Sequence, residues 1–209
     1  MRLIIFTITT FLISCSIVTA DTMIEQLKKC KPKVKNVYPE EYRDGGTHIT
    51  SFTVGNYRFI MQQDNNNGEN CGEIEKGHTF TFTAERKESK KGKYKSFQFS
   101  DLFQTEKLEE FNKVLQDSIQ QYIITSEYKT LIQDNPTIQG INECGYLFSK
   151  EGVIVIFNIG IDWEKAAKYI VERDNLEDDS NAYSEATSSM CNTGSFILNW
   201  EKMGEYLRD

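Results

Sequence analysis

The chain has 209 residues, with 24 basic and 31 acidic side chains and a net charge of −7. Such an acidic surface repels phosphate backbones and offers no basic stripe, which argues against binding to nucleic acid or to anionic lipid. The length fits one domain or two small ones. A cationic protein or peptide is the kind of partner that this charge favours.

The first 20 residues have the three parts of a secretory signal. Arg2 precedes an apolar run interrupted by hydroxyl residues, and Val18-Thr19-Ala20 supplies small residues for cleavage. A membrane-spanning helix needs about 20 apolar residues, and this run is shorter. We therefore predict a signal peptide at 1–20 and a mature protein of net charge −8 that is secreted, periplasmic or in the cell envelope. Residues 12–15 offer an alternative, because Leu-Ile-Ser-Cys resembles a lipobox, and Cys15 would then carry a lipid anchor.

Four cysteines remain in the mature chain, and in an exported domain they predict two disulfides. Three pairings are open, and we favour those that tie neighbouring parts of the chain: Cys30 with Cys71, and Cys144 with Cys191. Their spacings are too wide for zinc knuckles. No metal site and no cofactor are predicted.

Periodicity and turn signals predict five strands and one helix in the first half of the chain. The Gly55-Asn56 pair predicts a hairpin turn in which both residues accept positive φ, and Asp64–Gly72 reads as a polar loop. The predicted elements are a helix over 22–29, strands over 34–38, 47–54, 57–61 and 79–83, and a strand carrying Phe97 and Phe99 after a basic turn over 87–95.

The second half begins with the strongest helix signal, an apolar stripe that starts near Thr105 and runs to Ile123. A hairpin follows through residues 146–157, and Asp162 is placed to cap a helix. The acidic stretch 172–180 is predicted to be a solvated loop. A strand over 195–198 and a helix over 200–207 are predicted after it. Grouped strands around few helices predict an α+β fold, with a mainly antiparallel sheet packed against one long amphipathic helix and shorter helices.

Several of these segments together resemble a known family. The turn Phe97-Gln-Phe-Ser-Asp-Leu-Phe103, the long helix, the hairpin Gly145–Val155 and the stretch Gly194–Glu201 resemble the RsiV-type extracytoplasmic domain. That domain ends a lysozyme-sensing anti-sigma factor and accompanies exported deacetylases. The resemblance covers about 75–209 and leaves 21–74 as an N-terminal helix and hairpin part of one domain, 21–209. It implies an α+β fold, a cell-envelope location and a binding role.

Catalytic motifs are missing from the sequence. There is no GxSxG, HExxH or Walker-type loop, and only His48 and His78 could act as a histidine base. Asp64, Asn66 and Glu75 have an EF-hand-like spacing, but Glu69 stands where that loop needs glycine. We expect a non-catalytic binding protein that recognises a protein such as lysozyme or a cell-wall component. The alternative is a carboxylate-based hydrolase of cell-wall polymer.

Overall fold

The computed structural model describes residues 23–37, 45–66, 79–89, 91–175 and 192–208. Its strands come in groups separated by helices, and every strand pairing among these residues is antiparallel. This confirms the predicted α+β class with antiparallel sheets. In chain order the elements are α1 Met23–Lys29, β1 Lys33–Val37, β2 Gly45–Val54, β3 Tyr57–Asn66, β4 Thr79–Lys87, β5 Tyr94–Phe97, α2 Leu108–Thr125, β6 Gly145–Phe148, β7 Gly152–Asn158, α3 Trp163–Asp174, β8 Thr193–Asn199 and α4 Trp200–Gly204.

The strands form two sheets. A five-stranded sheet has the order β1-β2-β3-β4-β5, and a three-stranded sheet has the order β6-β7-β8. Each strand therefore pairs with its neighbours in sequence, as in a meander. The central strand β7 is the apolar run Val153–Phe157, of which every residue except Ile154 is buried, as expected for a strand covered on both faces.

Aromatic rings join the two sheets and α2 in one hydrophobic core. Phe59 of β3 lies 4.9 Å from Phe148 of β6, measured between ring centroids. Tyr146 stacks on Phe99 at 3.9 Å, and Phe103 meets Phe111 of α2 at 4.5 Å. Edge and offset contacts of this kind add to the burial of apolar area.

Helix α2 begins one 3-10 turn after the predicted start. Residues 105–107 form that turn and the α-helix runs from Leu108. The buried side chains of the predicted stripe lie four residues apart, at Phe111, Leu115, Ile119 and Ile123. In α3 the carboxylate of Asp162 accepts from the backbone N–H groups of Glu164 and Lys165, as its position predicted.

Four local predictions are wrong. Strand β3 continues to Asn66, so Asp64 and Asn66 are paired strand residues and do not open a loop. Phe99 is not in a strand, because a 3-10 turn begins there. Of the two turn residues after β2, only Gly55 has positive φ, at 56°. Helix α3 extends through Asp174, which moves the start of the predicted acidic loop into a helix.

The disulfide prediction also needs correction. Cys30 and Cys144 are free thiols in the structure, whereas Cys15, Cys71 and Cys191 lie outside the described residues. Cys144 is 1% exposed and belongs to the hydrophobic core, so it acts as a small apolar residue. The sulfur of Cys30 lies 3.5 Å from the carbonyl oxygen of Thr53.

Candidate functional site

A hollow opens where the first turns of α2 face the irregular segment before β6. Its volume is about 530 Å³. The lining residues are Ser100, Thr105, Leu108, Glu109, Asn112, Gly140, Ile141, Asn142 and Glu143. The segment has no regular structure here, so side chains must supply the partners for its backbone groups.

Two asparagines fix the walls of this hollow. The amide oxygen of Asn112 accepts from the backbone N–H of Ile141 at 3.0 Å. Asn142 accepts from the backbone N–H of Ser100 at 3.0 Å and donates to its hydroxyl at 3.1 Å. These bonds join α2, the 3-10 turn before it and the irregular segment. The hollow is therefore a preformed part of the fold.

A second hollow of about 550 Å³ lies beside the first and shares Glu109 and Asn112 with it. It is lined by Glu106, Glu109, Glu110, Asn112, Lys113 and Gln116. We call the two together the acidic surface. The four glutamates that line it, with Lys113 as its one lining cation, give it a net negative charge.

The carboxylates of the acidic surface differ in how far they are already engaged. Glu143 accepts from the backbone N–H of Gly140 at 2.7 Å, and Glu110 accepts from the Tyr206 hydroxyl at 3.3 Å. Glu106 and Glu109 are exposed and have no ion-pair partner in the described part of the chain. Acidic residues in a first turn also stabilise a helix through its dipole, and this accounts for part of their presence.

The nearby cation Lys107 does not neutralise these carboxylates by direct contact. Its ammonium group donates to the backbone carbonyl of Glu205 at 2.7 Å. The acidic surface thus keeps carboxylates that can accept hydrogen bonds from arginine or lysine side chains of a partner. Charge of this kind raises the rate of encounter and sets specificity more than it adds affinity.

The residues singled out in the sequence do not gather at this surface. His48 lies half-buried in β2, and His78, Glu69 and Glu75 lie outside the described residues. Within the described ranges no group of three or more His, Cys, Asp or Glu side chains could hold a metal ion. No described helix is both long and apolar enough to cross a membrane. Sequence reasoning missed the acidic surface because its parts are about 30 residues apart.

Comparison with protein-family models, with curated proteins and with solved structures finds no match for this chain.

Proposed function

We propose that this chain is a non-catalytic exported or cell-envelope binding protein that recognises a cationic protein, such as lysozyme, or a cell-wall component. The supporting observation is the acidic surface, where Glu106 and Glu109 present carboxylates without ion-pair partners in the described part of the chain. The resemblance to the RsiV-type domain and the signal-like residues 1–20 support the same proposal. A basic side chain fits a hollow whose rim is negative.

Binding of lysozyme tests the proposal directly. We expect saturable binding by calorimetry at low salt, and weaker binding as salt screens the charges. The variant E106Q/E109Q/E143Q keeps the size of each side chain and the acceptor oxygen of Glu143. Since exposed ion pairs contribute about 0.2–1 kcal/mol each, we expect it to weaken binding about tenfold.

The matched control is E127Q/E164Q/E172Q, which removes the same charge from exposed glutamates away from the acidic surface. It should leave the dissociation constant within about twofold of wild type. Equal losses in both triple variants would mean that net charge alone drives binding. A panel of cationic proteins and insoluble cell wall extends the test, and no binding to any of them at low salt contradicts the proposal.

The hydrolase alternative has weaker support. Glu109 and Glu143 line the same hollow, as a pair of catalytic carboxylates must. A glycosidase, however, keeps its general acid protonated by burial, and both glutamates are exposed. Release of soluble sugar from cell wall by wild type, lost in Glu109→Gln and in Glu143→Gln, would favour the hydrolase.

Export is tested by mass spectrometry of the intact native protein. Cleavage after Ala20 gives a mature chain that begins at Asp21, and lipidation gives one that begins at an acylated Cys15. Native protein that keeps residues 1–20 unmodified contradicts both forms of export.

A further inference from the structure

The opposite end of α2 faces a third hollow, of about 670 Å³. It lies between the last turns of the helix and residues 129–138. We call it the C-terminal hollow. It is lined by Gln120, Ile123, Ile124, Lys129, Thr130, Ile132, Gln133, Asp134, Asn135, Pro136 and Ile138. At about 1.5 Å per residue, Ile124 lies about 22 Å along the helix from Glu109. The two ends of α2 therefore present separate surfaces.

The floor and one wall of the C-terminal hollow are apolar. Ile123 and Ile132 are buried at its base, and Pro136 and Ile138 are half-buried. Ile124 is 56% exposed, although it is a large hydrophobic residue. An apolar group placed here would remove hydrocarbon surface from water on both sides, at about 25 cal/mol per Å².

Residues 129–138 are held in place by bonds to the segment just before α3. The backbone N–H of Asp162 donates to the carbonyl of Leu131 at 2.8 Å, and that of Gln133 donates to Gly160 at 3.0 Å. Ile132 also forms a β-bridge with Ile161. None of these bonds involves a residue of α2, and the hollow between the segment and the helix exists without a ligand. A preformed pocket with apolar walls and a few polar groups is typical of small-molecule sites.

The charges at the rim favour an anion. Asp134 forms an ion pair with Lys165 at 2.7 Å. Hydrogen bonding to that lysine lowers the pKa of Asp134, so the carboxylate is charged and its charge is neutralised by Lys165. Lys129 is exposed and has no ion-pair partner among the described residues. Lys129 is thus the lining charge that remains to be matched.

We propose that the C-terminal hollow binds an amphipathic carboxylate, with its hydrocarbon body against Ile124 and Ile138 and its carboxylate toward Lys129. The apolar floor favours a ligand with a hydrocarbon body. Lys129, which has no ion-pair partner among the described residues, favours a negatively charged head group. This site is independent of the acidic surface and of the function proposed for it.

Octanoate and octanol are suitable probes, titrated into the full chain and followed by amide chemical shifts. We expect saturable shifts in residues 120–138 with both, and tighter binding of octanoate. Lys129→Gln should weaken octanoate about threefold and leave octanol unchanged. Ile124→Ser should weaken both about tenfold. Both substitutions lie on exposed side chains, so the fold should be retained.

The chain offers matched controls. Val34 is as exposed as Ile124, at 56%, so Val34→Ser controls for the loss of a surface hydrophobic group. Lys168→Gln controls for the loss of a charge from an exposed lysine. Neither should change binding of either probe. Absence of saturable shifts, or equal losses in Ile124→Ser and Val34→Ser, overturns the proposal. It is also overturned if sedimentation shows a dimer that Ile124→Ser dissociates and octanoate does not bind, because the occupant is then a second copy of the chain.

Discussion

The hydroxyl of Tyr146 donates a hydrogen bond of 2.6 Å to the backbone carbonyl of Ile141. Both residues are buried, and the bond ties the wall of the acidic surface to the first residues of β6. Without it, a carbonyl in an irregular segment would lie unsatisfied against the core. This single bond links the stability of the fold to the shape of the candidate site.

Tyr146→Phe should therefore be destabilising. Removal of the donor leaves the Ile141 carbonyl with its desolvation penalty, and we expect a loss of about 1–3 kcal/mol in the free energy of unfolding. Urea denaturation measures it. Tyr122→Phe is the control, because no hydrogen bond of its hydroxyl is found in the described part of the chain and its ring contact with Phe157 is kept. Equal losses in the two variants would count against this account.

Cys144 should be unreactive in the folded protein at neutral pH. Burial, and to a smaller extent the negative charge of Glu143, raises the pKa of its thiol to about 12. The thiolate is the reactive form. Alkylation with iodoacetamide followed by peptide mapping should label Cys30 first and Cys144 only after unfolding. Recovery of Cys144 in a disulfide from native protein contradicts the structure.

The same group makes stability depend on pH. The pKa of the buried thiol lies above its ordinary value of 9.0, so the contribution of the thiol to the free energy of unfolding is full below pH 9 and is lost as the pH rises toward 12. The slope is about 1.4 kcal/mol per pH unit in that window. Cys144→Ala should show a shallower fall in stability between pH 9 and 10.5. If stability falls equally with pH in wild type and in Cys144→Ala, the thiol is not the cause of the pH dependence.

The capping residue of α3 gives a prediction with an internal control. Asp162→Ala removes the acceptor for two backbone N–H groups and should cost about 1 kcal/mol. Asp162→Asn keeps a capping oxygen and should cost much less, although it loses the charge that faces Lys165 at 3.6 Å. Thermal denaturation of the two variants separates the effect of capping from the effect of charge. Equal melting temperatures for the two variants would indicate that Asp162 stabilises the protein through its charge and not through capping.

Gly152 is required where β7 passes close to β8. A Cβ atom there would collide with the backbone carbonyl of Leu198, which cannot move without breaking the strand pairing. Gly152→Ala should cost about 1–3 kcal/mol. At Gly145 the nearest obstacle is the end of the flexible Met61 side chain. Gly145→Ala should therefore be the milder substitution in chemical denaturation.

Much of the fold follows from local signals. The stripe of α2, the cap of α3 and the hairpin of β6 and β7 are encoded within a few residues each. The extension of β3 to Asn66 is not, because polar residues there hold strand structure through pairing with Gly45 and Gly46. The partition into two sheets depends on tertiary contacts such as that between Phe59 and Phe148.

The candidate sites were beyond the sequence for a similar reason. Glu109 and Glu143 meet at one hollow only because the irregular segment turns back across α2. The four mature cysteines, in contrast, gave a strong sequence signal that proved wrong for the two described thiols. Spacing carries no information on whether a sulfur is packed into the core, as that of Cys144 is.

One stretch of backbone, residues 129–143, supplies walls to hollows at both ends of α2. Two molecules bound at once would therefore contact the same backbone segment at different positions along it. If occupation of one hollow changes the affinity of the other, thermodynamics requires the effect to be mutual and of equal size in free energy. Titrating octanoate in the presence and absence of lysozyme measures that coupling from either side.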